Sequence, residues 1–559
     1  MTAPASSPRP ARPTNRLLGS SLVVGSMTML SRVMGLLRDV VIARFFGAGE
    51  NADAFFVAFR IPQFLRRLFA EGAFAQAFIP VLAEYRNARE QSGDLAALRL
   101  LVNAVCGVLG GTLLLITSVV VMSAPLVTMV FAPGFINQPE KFELTVALLR
   151  ITFPYLLLIS LTGFAGAILN SYDRFVVPAF TPVLLNASLI ACALWLSPHL
   201  AEPVFALAWG VVLAGFAQLM FQLPFLAKLH LLPRPTWDPS HPGVRKIMQL
   251  MLPAIFGVSV SQINLLLDTV LASFLPSGSV SWLYYSDRLA ELPLGVFGIA
   301  IATVILPSLS RLQLGSLVGE GVGTLEQQQA NTAVVEQFRD TLDWGLRCVV
   351  VIALPASCAL VLLAQPILYL LFQYQAMTPL DVQMSALSMQ AYALGLLAFM
   401  SIKVLATGYF AQQDMKTPVR IGIIAMVANM GLNLFLVAIL HFYFRLGHVG
   451  LALATSLAAF LNAGLLLRGL SNSPAIQRFM VTGEHLLSGQ FWWLLRQTLL
   501  ATLIMGLALY GASPDLSFWA EASFLQRLGE VMILCAGGLA SYVAVLLLLG
   551  VRVRHFRAS

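Results

Sequence analysis

Long apolar runs alternate with short polar breaks along this chain, and the runs have membrane length. A helix needs about 20 apolar residues to cross the hydrocarbon core. By that measure fourteen spans are expected, at roughly 17–46, 53–83, 97–131, 143–170, 177–197, 203–229, 245–275, 281–311, 341–372, 382–412, 418–442, 447–470, 491–512 and 525–551. The second and eighth are the least apolar, because they carry arginines. The longest break, 312–340, is rich in Gly and Gln at first, and its end is expected to form a short helix on the cytoplasmic surface. The pattern predicts an all-α polytopic membrane protein.

Composition agrees. Of 559 residues 58% are hydrophobic and 11% charged, against about 25% charged in soluble domains. The net charge of +8 does not indicate nucleic acid, because the cations stand singly in loops. Those cations favour alternate loops, and the opposite set holds little beyond Lys141 and Arg445. The positive-inside rule then places both termini in the cytoplasm. The tail 1–16, rich in Pro, Ala and Ser, is expected to be disordered; the apolar run after it lacks a small-residue cleavage site and reads as a retained span. Five cysteines without metal or pairing spacing read as small buried hydrophobes. Seven histidines in loops or near span ends read as solvated surface.

The chain repeats itself after six spans. Arg60 to Pro80 runs Arg-Ile-Pro-Gln-Phe-Leu and later Ala-Phe-Ile-Pro; Arg288 to Pro307 runs Arg-Leu-Ala-Glu-Leu-Pro and later Val-Ile-Leu-Pro. Asn170-Ser-Tyr-Asp173, Pro178 and Asn186 are echoed by Ala411-Gln-Gln-Asp414, Pro418 and Asn429. An even number of spans per copy gives both copies one orientation, as in transporters with parallel repeats. The expected division is an N-lobe at 17–229, a C-lobe at 245–470 and a C-terminal helix pair at 488–551.

Six arginines lie inside or at the edges of these spans: Arg32, Arg38, Arg60, Arg66, Arg67 and Arg288. A guanidinium at the bilayer centre costs about 2.5–3.5 kcal/mol, so a chain that keeps them turns them to a wet interior. Asp53 opens span two as an expected N-cap. Arg67 and Glu71 are four apart, Arg288 and Glu291 three apart, and both pairs can neutralise within a helix. Asp39, Glu71, Asp287 and Glu291 offset the six arginines to a net of two positive charges. That suits a diphosphate diester, which guanidinium forks bind bidentately. Salt-bridge pins between helices are the simpler use of any one of these arginines, and the better account of Arg67.

The segments Ser31-Arg32-Val-Met-Gly35-Leu-Leu-Arg38-Asp39, Phe46-Gly47-Ala48-Gly49, Asp53-Ala-Phe-Phe-Val-Ala-Phe-Arg60 and Leu65-Arg66-Arg67-Leu-Phe-Ala-Glu71-Gly-Ala-Phe74 resemble those of the bacterial lipid II flippase (MurJ, or MviN) family. So do Tyr284-Tyr-Ser-Asp287-Arg288-Leu289, Gly295-Val296 and Leu306-Pro-Ser-Leu309. Arg60 stands where many relatives have Lys, and Gln63 where they have Asn. The resemblance implies the multidrug/oligosaccharidyl-lipid/polysaccharide exporter superfamily, with two six-helix lobes in a V around a cationic cavity and a polyprenyl groove on the last two helices. It implies export of lipid II to the outer leaflet, and required roles for Arg32, Arg38, Asp53, Arg66 and Arg288. Arg32, Arg38, Arg66 and Arg288 are then expected to hold the diphosphate, with Asp39, Asp53, Arg60, Arg67, Glu71, Asp287 and Glu291 supporting or gating.

No nucleotide-binding motif is present, so energy is expected from a coupling ion or the membrane potential. Asp268, Asn429, Asn433 and Thr455 offer oxygens for Na⁺, unless Lys403 neutralises Asp268 and Asn and Thr simply bond between helices. Expected partners are lipid II, membrane lipids and the cell-wall elongation and division machinery. Other readings are a flippase for O-antigen or capsule oligosaccharides, a drug exporter, an intramembrane cell-wall glycosyltransferase, or a scaffold. The arginines oppose a cavity for cationic drugs, and the short outer loops leave no room for a glycosyltransferase site.

Overall fold

The computed structural model describes residues 14–68, 74–92, 95–312, 325–479 and 486–552. Most of the N-terminal tail, Glu71 and much of the 312–340 loop lie outside the described residues. In chain order the helices are α1 (Thr14–Phe46), α2 (Glu50–Leu65), α3 (Phe74–Ser92), α4 (Ala96–Met122), α5 (Ala124–Phe131), α6 (Pro139–Thr152), α7 (Tyr155–Ser171), α8 (Val176–Ala191), α9 (Phe205–Lys228), α10 (Pro242–Ser273) and α11 (Ser279–Pro293). They continue as α12 (Ile299–Ser310), α13 (Leu325–Leu362), α14 (Ala364–Phe372), α15 (Pro379–Leu394), α16 (Leu396–Ala411), α17 (Lys416–Phe444), α18 (Gly447–Ser471), α19 (Pro474–Phe479), α20 (Gly489–Ala512), α21 (Leu516–Glu521) and α22 (Phe524–Leu548). Among the described residues there is no strand.

Among the described residues, eleven segments are long and apolar enough to cross a membrane, and they coincide with the third to sixth and eighth to fourteenth expected spans. The protein is therefore a multi-pass membrane protein. The first and seventh expected spans fall on single helices, α1 and α10, of 33 and 32 residues. The second falls on α2, of 16 residues, and α3, of 19, with residues 69–73 outside the description. Both arginine-bearing regions widen after a proline. Pro62 lies inside α2, which passes into a wide π turn at 66–68; Pro293 ends α11, and a π turn follows over Leu294–Gly298. A prolyl ring removes one helical N–H and clashes with the preceding turn, and the wider turn relieves that clash.

The chain forms two compact units. Unit 1 comprises residues up to Ile42, Ala58–Val127 and Thr145–Val258; unit 2 comprises Ala43–Val57, Thr128–Leu144 and Ser259 onward. Unit 1 has a core of Phe78, Leu101, Phe164, Leu169, Leu226 and Val244, from α3, α4, α7, α9 and the start of α10. Unit 2 has its own core, including Phe338, Val349, Met400, Leu405, Leu466 and Phe491 from α13, α16, α18 and α20. The last helix is fastened to unit 2 by Arg527, which is 5% exposed and donates to the carbonyls of Tyr369, Gln373 and Ala520. A guanidinium on carbonyls at a helix C-terminus meets the negative end of the dipole.

Candidate functional site

In unit 1, α1 brings Ser31, Arg32, Arg38 and Asp39 onto one element. Arg38 and Asp39 are 7% and 2% exposed. The Arg38 guanidinium forks onto one oxygen of Asp39, from Nε at 2.9 Å and Nη2 at 2.6 Å. Its Nη1 donates to Oδ1 of Asn186 on α8 at 3.1 Å. The Asn186 amide nitrogen donates to the Ser31 carbonyl at 3.1 Å, beside Gly35. Arg38 is thus charge-balanced in this state by its sequence neighbour and steered by a buried amide. Arg32, Arg60, Arg66 and Arg67 are all half-buried. Arg60, Arg66 and Arg67 have partners, while the expected Arg67–Glu71 pair lies outside the described residues.

In unit 2, Arg288 reaches Glu291 at 3.7 Å and stands 5.2 Å from the centre of the Tyr284 ring. Tyr284 in turn stacks on Phe56 at 4.0 Å. The aromatic stack limits the rotamers of Arg288 and favours the cation over its π face. Asp287, beside it, is half-buried and also engaged.

Asp53 does not cap its own helix. Helix α2 begins at Glu50, and the Asp53 amide donates to the Gly49 carbonyl inside its first turn. The carboxylate, 1% exposed, instead caps α11. It accepts from the Gly278 amide at 2.7 Å, the Ser281 amide at 2.9 Å, the Ser281 hydroxyl at 2.6 Å and Lys141 Nζ at 2.9 Å. Gly278, at φ +98°, brings no side-chain cap to α11, so a carboxylate from 225 residues earlier supplies one. Lys141 is 2% exposed and also donates to Ser277 at 3.2 Å. It was visible in the sequence only as the odd cation in a nearly charge-free set of loops. Asn186 showed only as a repeated Asn.

The oxygen-rich group of unit 2 comes together in part. Asn433 donates to Asp268 at 2.8 Å, and Asn429 donates to Asn264, a residue missed in the sequence, at 2.8 Å. Asn429 and Asn433 are 1% and 0% exposed, and neither Oδ1 has a hydrogen-bond partner. Two buried orphan acceptors next to a carboxylate are a donor set that a hard cation satisfies. The Thr455 hydroxyl turns back to the Leu451 carbonyl of its own helix. Lys403 is exposed and pairs with no carboxylate among the described residues, so it does not neutralise Asp268. One histidine departs from expectation: His448 is 1% exposed, with Nε2 3.2 Å from the Met384 carbonyl and its ring 4.9 Å from Trp282.

The family model described as lipid II flippase MurJ matches residues 42–529. A probable lipid II flippase MurJ of Vibrio cholerae serotype O1 is 47% identical over 98% of each chain. Its counterpart in Haemophilus influenzae is 46% identical over 95% of this chain and 99% of the relative. A lipid II flippase MurJ of Burkholderia cenocepacia is 40% identical over 85% and 90%. Among solved structures, one of a lipid II flippase MurJ in an inward closed conformation superposes with a TM-score of 0.70 at 25% identity, over 94% of this chain and 98% of that one. An inward-facing multidrug resistance MATE family transporter of the MOP superfamily shares the fold, with a TM-score of 0.60 at 16% identity. With a family match over residues 42–529 and relatives of 40% identity or more aligned over most of its length, the chain belongs to the lipid II flippase MurJ family.

Proposed function

We propose that this protein moves lipid II, the polyprenyl-diphosphate-linked peptidoglycan precursor, from the inner to the outer leaflet of the bacterial inner membrane by alternating access. It is a transporter and not an enzyme. The observation that carries the reading is the family match over residues 42–529, in a chain whose Arg32, Arg60, Arg66, Arg67 and Arg288 are half-buried. Both termini face the cytoplasm, following the Lys and Arg of alternate loops. Arg32, Arg38 and Arg66 in unit 1, and Arg288 in unit 2, are the cations assigned to the diphosphate. Arg38 needs release from Asp39 to serve, and Arg288 is already presented on an aromatic stack. Arg60, Arg67, Asp53, Asp287 and Glu291 support this set. The orphan acceptors of Asn429 and Asn433 beside Asp268 support a coupling Na⁺, which would supply charge compensation there. Cell-wall elongation and division proteins are the expected protein partners.

The test is complementation of a flippase-depleted strain, with lipid II accessibility to an outer-leaflet probe as readout. Arg66→Ala and Arg288→Ala reach the membrane at normal levels and fail to expose lipid II. Normal exposure in both would remove the arginine assignment, and no exposure by the unaltered protein would remove the substrate.

A further inference from the structure

Thirteen residues separate α9 from α10, and four of the first nine are Leu232, Pro233, Arg234 and Pro235. At about 3.3–3.6 Å per residue such a linker could reach more than 40 Å if it hung free. It does not hang free. It lies along one face of α4, on positions spaced four apart: Arg99, Asn103, Gly107 and Gly111. Side chains at that spacing stack above one another on a helix.

Each position meets the linker in turn. Arg99 Nε donates to the His230 carbonyl at 2.9 Å. Asn103 takes two linker amides, Arg234 N on Oδ1 at 2.7 Å and Thr236 N on its backbone carbonyl at 3.1 Å. Prolines 233 and 235 have no N–H to donate. The two amides of the 233–236 stretch are therefore both spent on one residue of α4. At Gly107 the Thr236 backbone lies where a Cβ would be, and at Gly111 a Cβ would stand 2.5 Å from the Trp237 indole. A larger residue at Gly107 meets linker backbone and pushes it off, and one at Gly111 strikes the indole. The indole itself is 64% exposed.

Beyond the track the chain turns tightly. Asp238 accepts from the Ser240 amide at 3.1 Å and hydroxyl at 2.6 Å, and the hydroxyl bond above all holds its carboxyl below the usual range. Helix α10 then starts against unit 1: Val244 and Ile247 join its core, Gly243 packs on Leu101 and Tyr85, and Lys246 pairs with Glu84 at 2.7 Å. Residues 145–258 accordingly group with unit 1.

We propose that Arg99, Asn103, Gly107 and Gly111 form a docking track for the linker 230–237, and that transport requires the linker to stay on it. Docked, the linker has no slack, and the start of α10 moves as one piece with unit 1. Undocked, the same residues become a tether tens of ångströms long that cannot transmit a displacement. The transport half of this inference rests on the flippase reading; the docking half does not.

Hydrogen exchange followed by mass spectrometry on the full-length protein reads docking directly. In the unaltered protein the Arg234 and Thr236 amides are protected. In Gly107→Leu their exchange accelerates at least about tenfold, and the variant, present in the membrane at normal level, loses complementation. Asn103→Ala adds no bulk and removes the acceptor of the Arg234 amide alone, so that amide's faster exchange keeps the test intact if Gly107→Leu folds poorly. Trp237→Ala restores docking and growth to Gly111→Leu, by removing the ring it strikes, but not to Gly107→Leu, which meets backbone. Unprotected amides in the unaltered protein, or full complementation by a variant with an accelerated linker, would overturn the proposal. A failure of the flippase reading shows instead as intact protection with no lipid II exposure by any form.

Discussion

The contact of α1 with α8 in unit 1 and that of α10 with α17 in unit 2 are built alike and satisfied to different degrees. In each, buried asparagines on the later helix reach polar groups on the earlier one. Asn186 spends both ends of its amide, on Arg38 and on the Ser31 carbonyl, and Arg38 is balanced by Asp39. Asn429 and Asn433 spend only their nitrogens, on Asn264 and Asp268, and neither Oδ1 has a hydrogen-bond partner. One contact uses both ends of its amide and the other leaves two acceptors over. A half-satisfied buried network is costly unless something completes it, so the second contact is where a cation from solution has most to gain.

Breaking the complete contact has the largest effect. Asp39→Leu leaves Arg38 buried beside an apolar group and lowers unfolding stability by about 3–5 kcal/mol, read as a lower melting temperature in detergent. Asn186→Leu removes a hydrogen bond to a charged group and costs about 1.5–3 kcal/mol, with lipid II exposure reduced more than the amount of protein in the membrane. In unit 2, Na⁺ raises the melting temperature of the unaltered protein, and at a concentration 100 times its Kd the gain is about 2.7 kcal/mol. Asp268→Asn erases that gain while costing about 1 kcal/mol or less in Na⁺-free buffer. An equal Na⁺ response in Asp268→Asn and the unaltered protein would put the ion elsewhere. Thr455→Val is the smallest change, about 0.6 kcal/mol or less, because its hydroxyl bonds within its own helix.

The sequence made some of this plain and hid the rest for physical reasons. Spans were legible because hydropathy acts over twenty residues at a time, and the arginine-bearing stretches were flagged by the energy they cost. Arg288 with Glu291 was legible because i, i+3 neighbours share a helix face. Asp53 was misread as capping its own helix, since a local rule was applied where Gly278 and Ser281, over 220 residues away, hold the carboxylate. Lys141 and Asn186 meet partners 88 and 148 residues distant, and no periodicity records such meetings. His448 looked like surface because it stands at a helix start, yet Trp282 and the Met384 carbonyl enclose it.

The cap that Asp53 gives to α11 has a consequence for how the protein is made. A chain is synthesised from its N-terminus, so the carboxylate enters the membrane region well before any group that will bind it. Lys141 comes first, 88 residues later, and can cancel the charge. Gly278 and Ser281 follow only when half the chain exists. Of the groups that hold Asp53, Lys141 is thus the one made first, and α11 supplies the amides that complete the cap.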